Sequence, residues 1–139
     1  MKYFLILFLV IPLCSSAQPF SVKKKQMRFI EVNSYKYYDI HIVLNSKKSS
    51  SEYLIDSLCV NNSYSIHYKL SVLGKDITTT NYEKGDSVLL QITVPFDKMK
   101  ENENTLKLYY HNKKSKQKSK LFIINTIQLL DSIKFEHNQ

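Results

Sequence analysis

The stretch Tyr64-Ser65-Ile66-His67-Tyr68-Lys69-Leu70-Ser71-Val72-Leu73 decides the fold class. Successive side chains of an extended strand point to opposite faces, so Tyr64, Ile66, Tyr68, Leu70 and Val72 share one side. Ser65, His67, Lys69 and Ser71 share the other, and Gly74 marks the end of the run. The spacing predicts a strand with one face in a core and one in water. Working outward, the same period of two recurs on both sides. Upstream, residues 26–33 read as a strand, 37–44 place Tyr38, Ile40, Ile42 and Leu44 on one side, and 53–60 form a shorter strand ended by Asn61-Asn62. Downstream, 77–80 read as a short edge strand, and Glu83-Lys84-Gly85-Asp86 as a turn into a strand over 87–94 with Val88, Leu90, Ile92 and Val94 inward. Pro95 stops that ladder, and 97–104 form a polar crossover with room for one helical turn. A strand over 105–110 follows, then a hairpin with a lysine-rich tip and a last strand from 121 to 130, with a short helix over 127–135 as the alternative.

No segment carries a convincing 3.6-residue apolar stripe, so the chain reads as all-β. About 7–8 short strands with turn signals near every tenth residue predict a single-domain antiparallel β-sandwich, with an open barrel as the alternative. Its core is expected to hold Ile66, Tyr68, Leu70, Leu90, Ile92, Leu106 and Leu108. The late section, Lys84-Gly85-Asp86-Ser87-Val88-Leu89-Leu90-Gln91-Ile92, a polar crossover, then Asn104-Thr105-Leu106-Lys107-Leu108-Tyr109-Tyr110, resembles the E-to-F portion of immunoglobulin-like and fibronectin-III-like domains. The resemblance implies that architecture and carries no functional residues. The chain departs from true immunoglobulin domains in having no Trp, no cysteine pair to bridge the sheets and no clear tyrosine corner.

The N-terminus has the order of a secretory signal: Lys2, the apolar residues 4–13, then Ser15-Ser16-Ala17 with small residues at −3 and −1. Residues 1–17 are therefore expected to be removed, leaving a secreted or periplasmic protein without a transmembrane segment. The apolar run is about half the roughly twenty residues that a spanning helix needs. Cys14 opens an alternative, a lipid anchor on that residue, although Pro12 and Leu13 fit poorly upstream of a lipidated cysteine. Loss of Cys14 leaves Cys59 alone, so no intramolecular disulfide can form and the core must hold the fold. The expected organisation is a signal peptide over 1–17, a flexible basic segment over 18–25, the β domain over 26–130 and a C-terminal tail over 131–139.

The chain lacks a Gly-rich phosphate loop, H-E-x-x-H, C-x-x-C and G-x-S-x-G, and its 2 glycines allow few close backbone approaches to a substrate. No catalytic residue and no cofactor is assigned. The metal candidates are Asp39 and His41, which share a strand face, with His67 on another outward face; a small metal-dependent enzyme built on them is the remote alternative.

The 20 basic residues outnumber 12 acidic ones, with Lys23-Lys24-Lys25, Lys47-Lys48 and the run from Lys113 to Lys120 in loops or termini. A lysine bias with Arg28 as the sole arginine, in an exported chain, argues against specific nucleic-acid reading. The expected function is a non-catalytic binding or accessory module of the bacterial envelope, its partner another envelope protein. The alternative partner is an anionic polymer, a glycan or lipopolysaccharide, held by Lys113, Lys114, Lys116, Lys118 and Lys120. Tyr37, Tyr82 and Tyr109 are candidate faces for stacking on sugars.

Overall fold

The computed structural model describes residues 18–62, 66–100, 104–115, 120–125 and 129–135, the last two stretches through their backbone. The chain is all-β, with β1 (Phe20–Val32), β2 (Tyr35–Ser46), β3 (Tyr53–Val60), β4 (Tyr68–Val72), β5 (Ser87–Pro95), β6 (Thr105–Asn112), β7 (Lys120–Asn125) and β8 (Leu129–Phe135). One sheet has the order β4-β5-β2-β1-β8 and the other β3-β6-β7. All pairings are antiparallel except that of β8, which lies parallel to β1. Among the described residues no helix is long and apolar enough to cross a membrane. The expected signal peptide over 1–17 and the cleavage after Ala17 lie outside the described residues.

Alternation places the core as the sequence implies. Ile40, Ile42 and Leu44 of β2 and Val88, Leu90, Ile92 and Val94 of β5 are fully buried, and they meet Leu58, Val60, Leu106, Leu108 and Tyr110 from the other sheet in one cluster. Ile66, Tyr68 and Leu70 pack against that cluster while only partly buried, because β4 is the edge of its sheet. Cys59 is 2% exposed, a small apolar group among its neighbours.

Four expectations are corrected. Residues 20–25 are not a flexible lead-in but the start of β1, because Phe20 is 1% exposed and sets its ring edge-on against Tyr82 and Tyr110 at 5.7 and 5.9 Å. Lys23, Lys24 and Lys25 ride on that strand at a bulge between Val22 and Lys24. Residues 129–135 are neither the end of one strand over 121–130, nor tail, nor a short helix, but a separate strand, β8, whose backbone satisfies the edge of β1 that β2 leaves open. Residues 77–80 form a turn rather than an edge strand. The Asp76 carboxylate accepts from Thr78 N at 3.0 Å, and Thr79 N donates to Asp76 O at 2.8 Å. The strand over 64–73 is shorter than its alternation, with Ile66 and His67 ahead of β4 and 63–65 outside the described residues.

The turns follow their chemistry. Asn33 and Ser34 both take positive φ, 47° and 73°, in the two-residue loop that joins β1 to β2, as a primed hairpin turn requires. Gly85 at φ +92° closes the predicted turn into β5, where Asp86 N donates to Glu83 O at 3.1 Å. The crossover after Pro95 contains a single 3-10 turn, Phe96–Lys98.

Candidate functional site

The start of β1, the β2–β3 loop, the β4–β5 connection and the turn over 113–115 that follows β6 gather at one pole. They are tied together through their backbones. Ser50 N donates to Tyr82 O at 2.8 Å and the Ser50 hydroxyl accepts from Tyr82 N at 3.2 Å, locking the β2–β3 loop to the β4–β5 connection. Lys113 N donates to Glu52 O at 2.8 Å, which fixes the base of the lysine-rich tip against the same loop. Gly85 N donates to Ser46 O at 2.7 Å, Ser46 N to Asp86 O at 2.9 Å and Lys47 N to Pro19 O at 2.7 Å. Beneath them Tyr82, 2% exposed, donates from its hydroxyl to Tyr53 O at 2.7 Å. Burial pushes that hydroxyl far above the ordinary phenol range, and nearby Tyr68 adds to the shift.

These contacts enclose an open pocket of about 480 Å³ lined by Ser49, Ser50, Ser51, Asn81, Tyr82, Glu83 and Lys113. That volume lies within the roughly 300–1,000 Å³ of small-ligand sites. Lys47, Lys48, Lys84, Lys113 and Lys114 are exposed around this pole. None of them has an ion-pair partner among the described residues. Lys75 is instead spent on Asp86 at 2.9 Å. Its hydrogen bond, joined by that of Glu83 N, holds the Asp86 carboxyl below the usual carboxylate range, and Asp86 in turn raises Lys75.

Of the lysines assigned from sequence, Lys113 and Lys114 open a turn at this pole, where Lys114 N donates to the Asn112 side chain at 2.9 Å. Lys116 and Lys118 lie outside the described residues, and Lys120 begins β7, where only its backbone is described. Lys47, Lys48 and Lys84 join the patch only through tertiary structure.

The candidate metal residues lie elsewhere, on the outward face of the larger sheet. Asp39 and His41 are in contact, Nε2 to Oδ2 at 3.0 Å. Asp39 and His67 line a second depression of about 430 Å³ with Tyr68, Lys69, Gln91 and Thr93. Asp39 pairs with Thr93, and Tyr68 pairs with Ile92, so His67 stands level with Asp39 with β5 between them. Two strand spacings, about 10 Å, separate their backbones. Among the described residues no three His, Cys, Asp or Glu side chains are gathered as a metal requires. A second pair escaped the sequence reading: His111 Nδ1 lies 2.5 Å from Asp56 Oδ1, where a bulge between Ile55 and Ser57 sets Asp56 outside the β3–β6 register.

Tyr82 is corrected as a stacking face, since its ring is used in the core; Tyr37 and Tyr109 are half-buried on strands. The chain matches no protein-family model, no curated protein and no solved structure.

Proposed function

We propose that this chain is an exported, non-catalytic binding module of the bacterial envelope, an immunoglobulin-like β-sandwich whose loop pole holds an anionic polymer such as an acidic glycan or lipopolysaccharide. The observation that carries the reading is the backbone-tied pocket at that pole, ringed by exposed lysines without ion-pair partners among the described residues. Unpaired cations on a rigid frame attract polyanions without the ordering cost that a floppy loop imposes.

The architectural part is supported by strand order. The orders β4-β5-β2-β1 and β3-β6-β7 correspond to the DEBA and CFG sheets of constant-type immunoglobulin domains, with β8 added beside β1. Export is supported by the signal-like order of residues 1–17, with Lys2, an apolar run and Ala17.

The test is retention of the mature protein on immobilised lipopolysaccharide and heparin across a salt series. Retention is expected to fall steeply toward about 0.15 M salt, where the Debye length is near 8 Å. Replacing Lys113, Lys114, Lys116, Lys118 and Lys120 with Ser should remove it while leaving the melting temperature nearly unchanged, because lysines as a class seldom enter an apolar core. Wild-type protein that flows through both matrices at low salt overturns the reading.

A further inference from the structure

The lining of the loop-pole pocket is chemically narrower than a positive patch. We propose that it seats one acidic sugar residue of the polymer, its anionic group on the Lys113 ammonium and its hydroxyls on Ser49, Ser51, Asn81 and Glu83; this rests on the polyanion-binding reading above. The ligand class is a carboxylated or sulfated saccharide, as distinct from a polyanion recognised by charge alone.

The lining offers both kinds of hydrogen-bonding partner. The Ser49 and Ser51 hydroxyls are 2.5 Å apart, so one donates to the other. The second hydroxyl hydrogen and the remaining lone pairs stay available, since a hydroxyl is one donor and two acceptors. The side chains of Asn81 and Lys113 make no hydrogen bond or ion pair among the described residues. The exposed Glu83 carboxylate brings an acceptor, and a repulsive charge, to the same pocket as Lys113. A bare chain of phosphates meets only repulsion at Glu83, whereas a sugar hydroxyl donates to it. The combination of one cation, one carboxylate, two hydroxyls and an amide matches a ring bearing one anionic group and several hydroxyls.

The frame is preorganised. Ser50, which is 8% exposed, spends both its backbone N–H and its hydroxyl on Tyr82, so Ser49 and Ser51 are held on either side of a fixed residue. Lys113 is fixed by its own backbone bond to Glu52. Placing donors before the ligand arrives reduces the ordering cost of binding. With the Tyr82 ring buried, the described residues lining the pocket offer no aromatic stacking face, so recognition relies on these polar groups.

The experiment measures binding of the mature full-length chain to heparin oligosaccharide, oligogalacturonate and inorganic polyphosphate at equal charge concentration. Both saccharides are expected to bind at least about tenfold more tightly than polyphosphate, and Ser49→Ala/Ser51→Ala to erase about that factor for the saccharides alone. Asn81→Ala, a change on a different loop, should lower saccharide affinity in the same selective way, and thermal melts establish that both variants fold. If polyphosphate binds as tightly as the saccharides and the Ser and Asn variants bind like wild type, this inference is overturned while the polyanion reading stands. If none of the three probes binds, both fall.

Discussion

Tyr82 shows how much a single residue can hold together. Its ring packs edge-on against Phe20, its hydroxyl reaches Tyr53 O, and its backbone receives and makes the bonds that place Ser50. Tyr82→Phe keeps the ring and loses the bond to Tyr53 O, so it should cost about 0.5–1.5 kcal/mol in denaturant unfolding. It should also change the alkaline limb. A hydroxyl raised by burial contributes stability that is complete below its unfolded pKa, about 10, and is lost as pH rises toward the higher folded value. Stability of wild type should therefore fall above about pH 10 more steeply than that of the Phe variant. Asp86 works in the opposite sense. Its carboxyl is lowered by Lys75 and Glu83 N, so its contribution is present above about pH 4 and is lost as pH falls through the lower folded value. Asp86→Asn should lower the melting temperature at neutral pH, with the difference from wild type narrowing as pH falls below about 4.

At the scale of elements, the core strands tolerate the least. Leu90 and Leu108 are fully buried on facing sheets, and truncating either to Ala should cost roughly 2–5 kcal/mol by denaturant titration, from lost transfer energy and the cavity left behind. Phe20 gives a sharper discrimination, because it lies in the segment whose three lysines suggested a flexible leader. As a buried aromatic, Phe20→Ala should cost about 3–5 kcal/mol, whereas truncating a residue of a mobile leader would leave unfolding unchanged. The strands themselves were legible because period-two alternation is local; 87–94 and 105–110 match β5 and β6 within one or two residues at each end. Their ends were less so. Alternation marks which side of a residue faces the core, but the length of a ladder depends on how far a neighbouring strand continues, as where β4 leaves β5 at Tyr68.

For the whole molecule, the signal-like N-terminus leads to a direct expectation: exported protein should have an intact mass beginning at Gln18, and a mass retaining residues 1–17 or a diacylglyceryl Cys14 would overturn it. If cleavage falls there, the new terminus is Gln18-Pro19-Phe20, and both Pro19 O and the Phe20 ring are already engaged at the loop pole.

The sequence alone determined the strand class, the inward set of Val88, Leu90, Ile92 and Val94 with Leu106, Leu108 and Tyr110, and the turn at Gly85. Each follows from neighbours within a few residues: a side-chain period of two, or a φ that glycine adopts freely. It also carried the lysine-rich run from Lys113 to Lys120, because composition is read directly from the chain. Tertiary structure alone decided that Asp39 and His67 stand two strands apart, that β8 runs parallel to β1 and that Lys47, Lys48 and Lys84 join the tip at one pole. The pocket belongs to the same class, since Ser50 meets Tyr82 across a separation of 32 residues. Such contacts depend on which strand edges pair and which loops share an end of the sheets, and no local pattern in the chain carries that information.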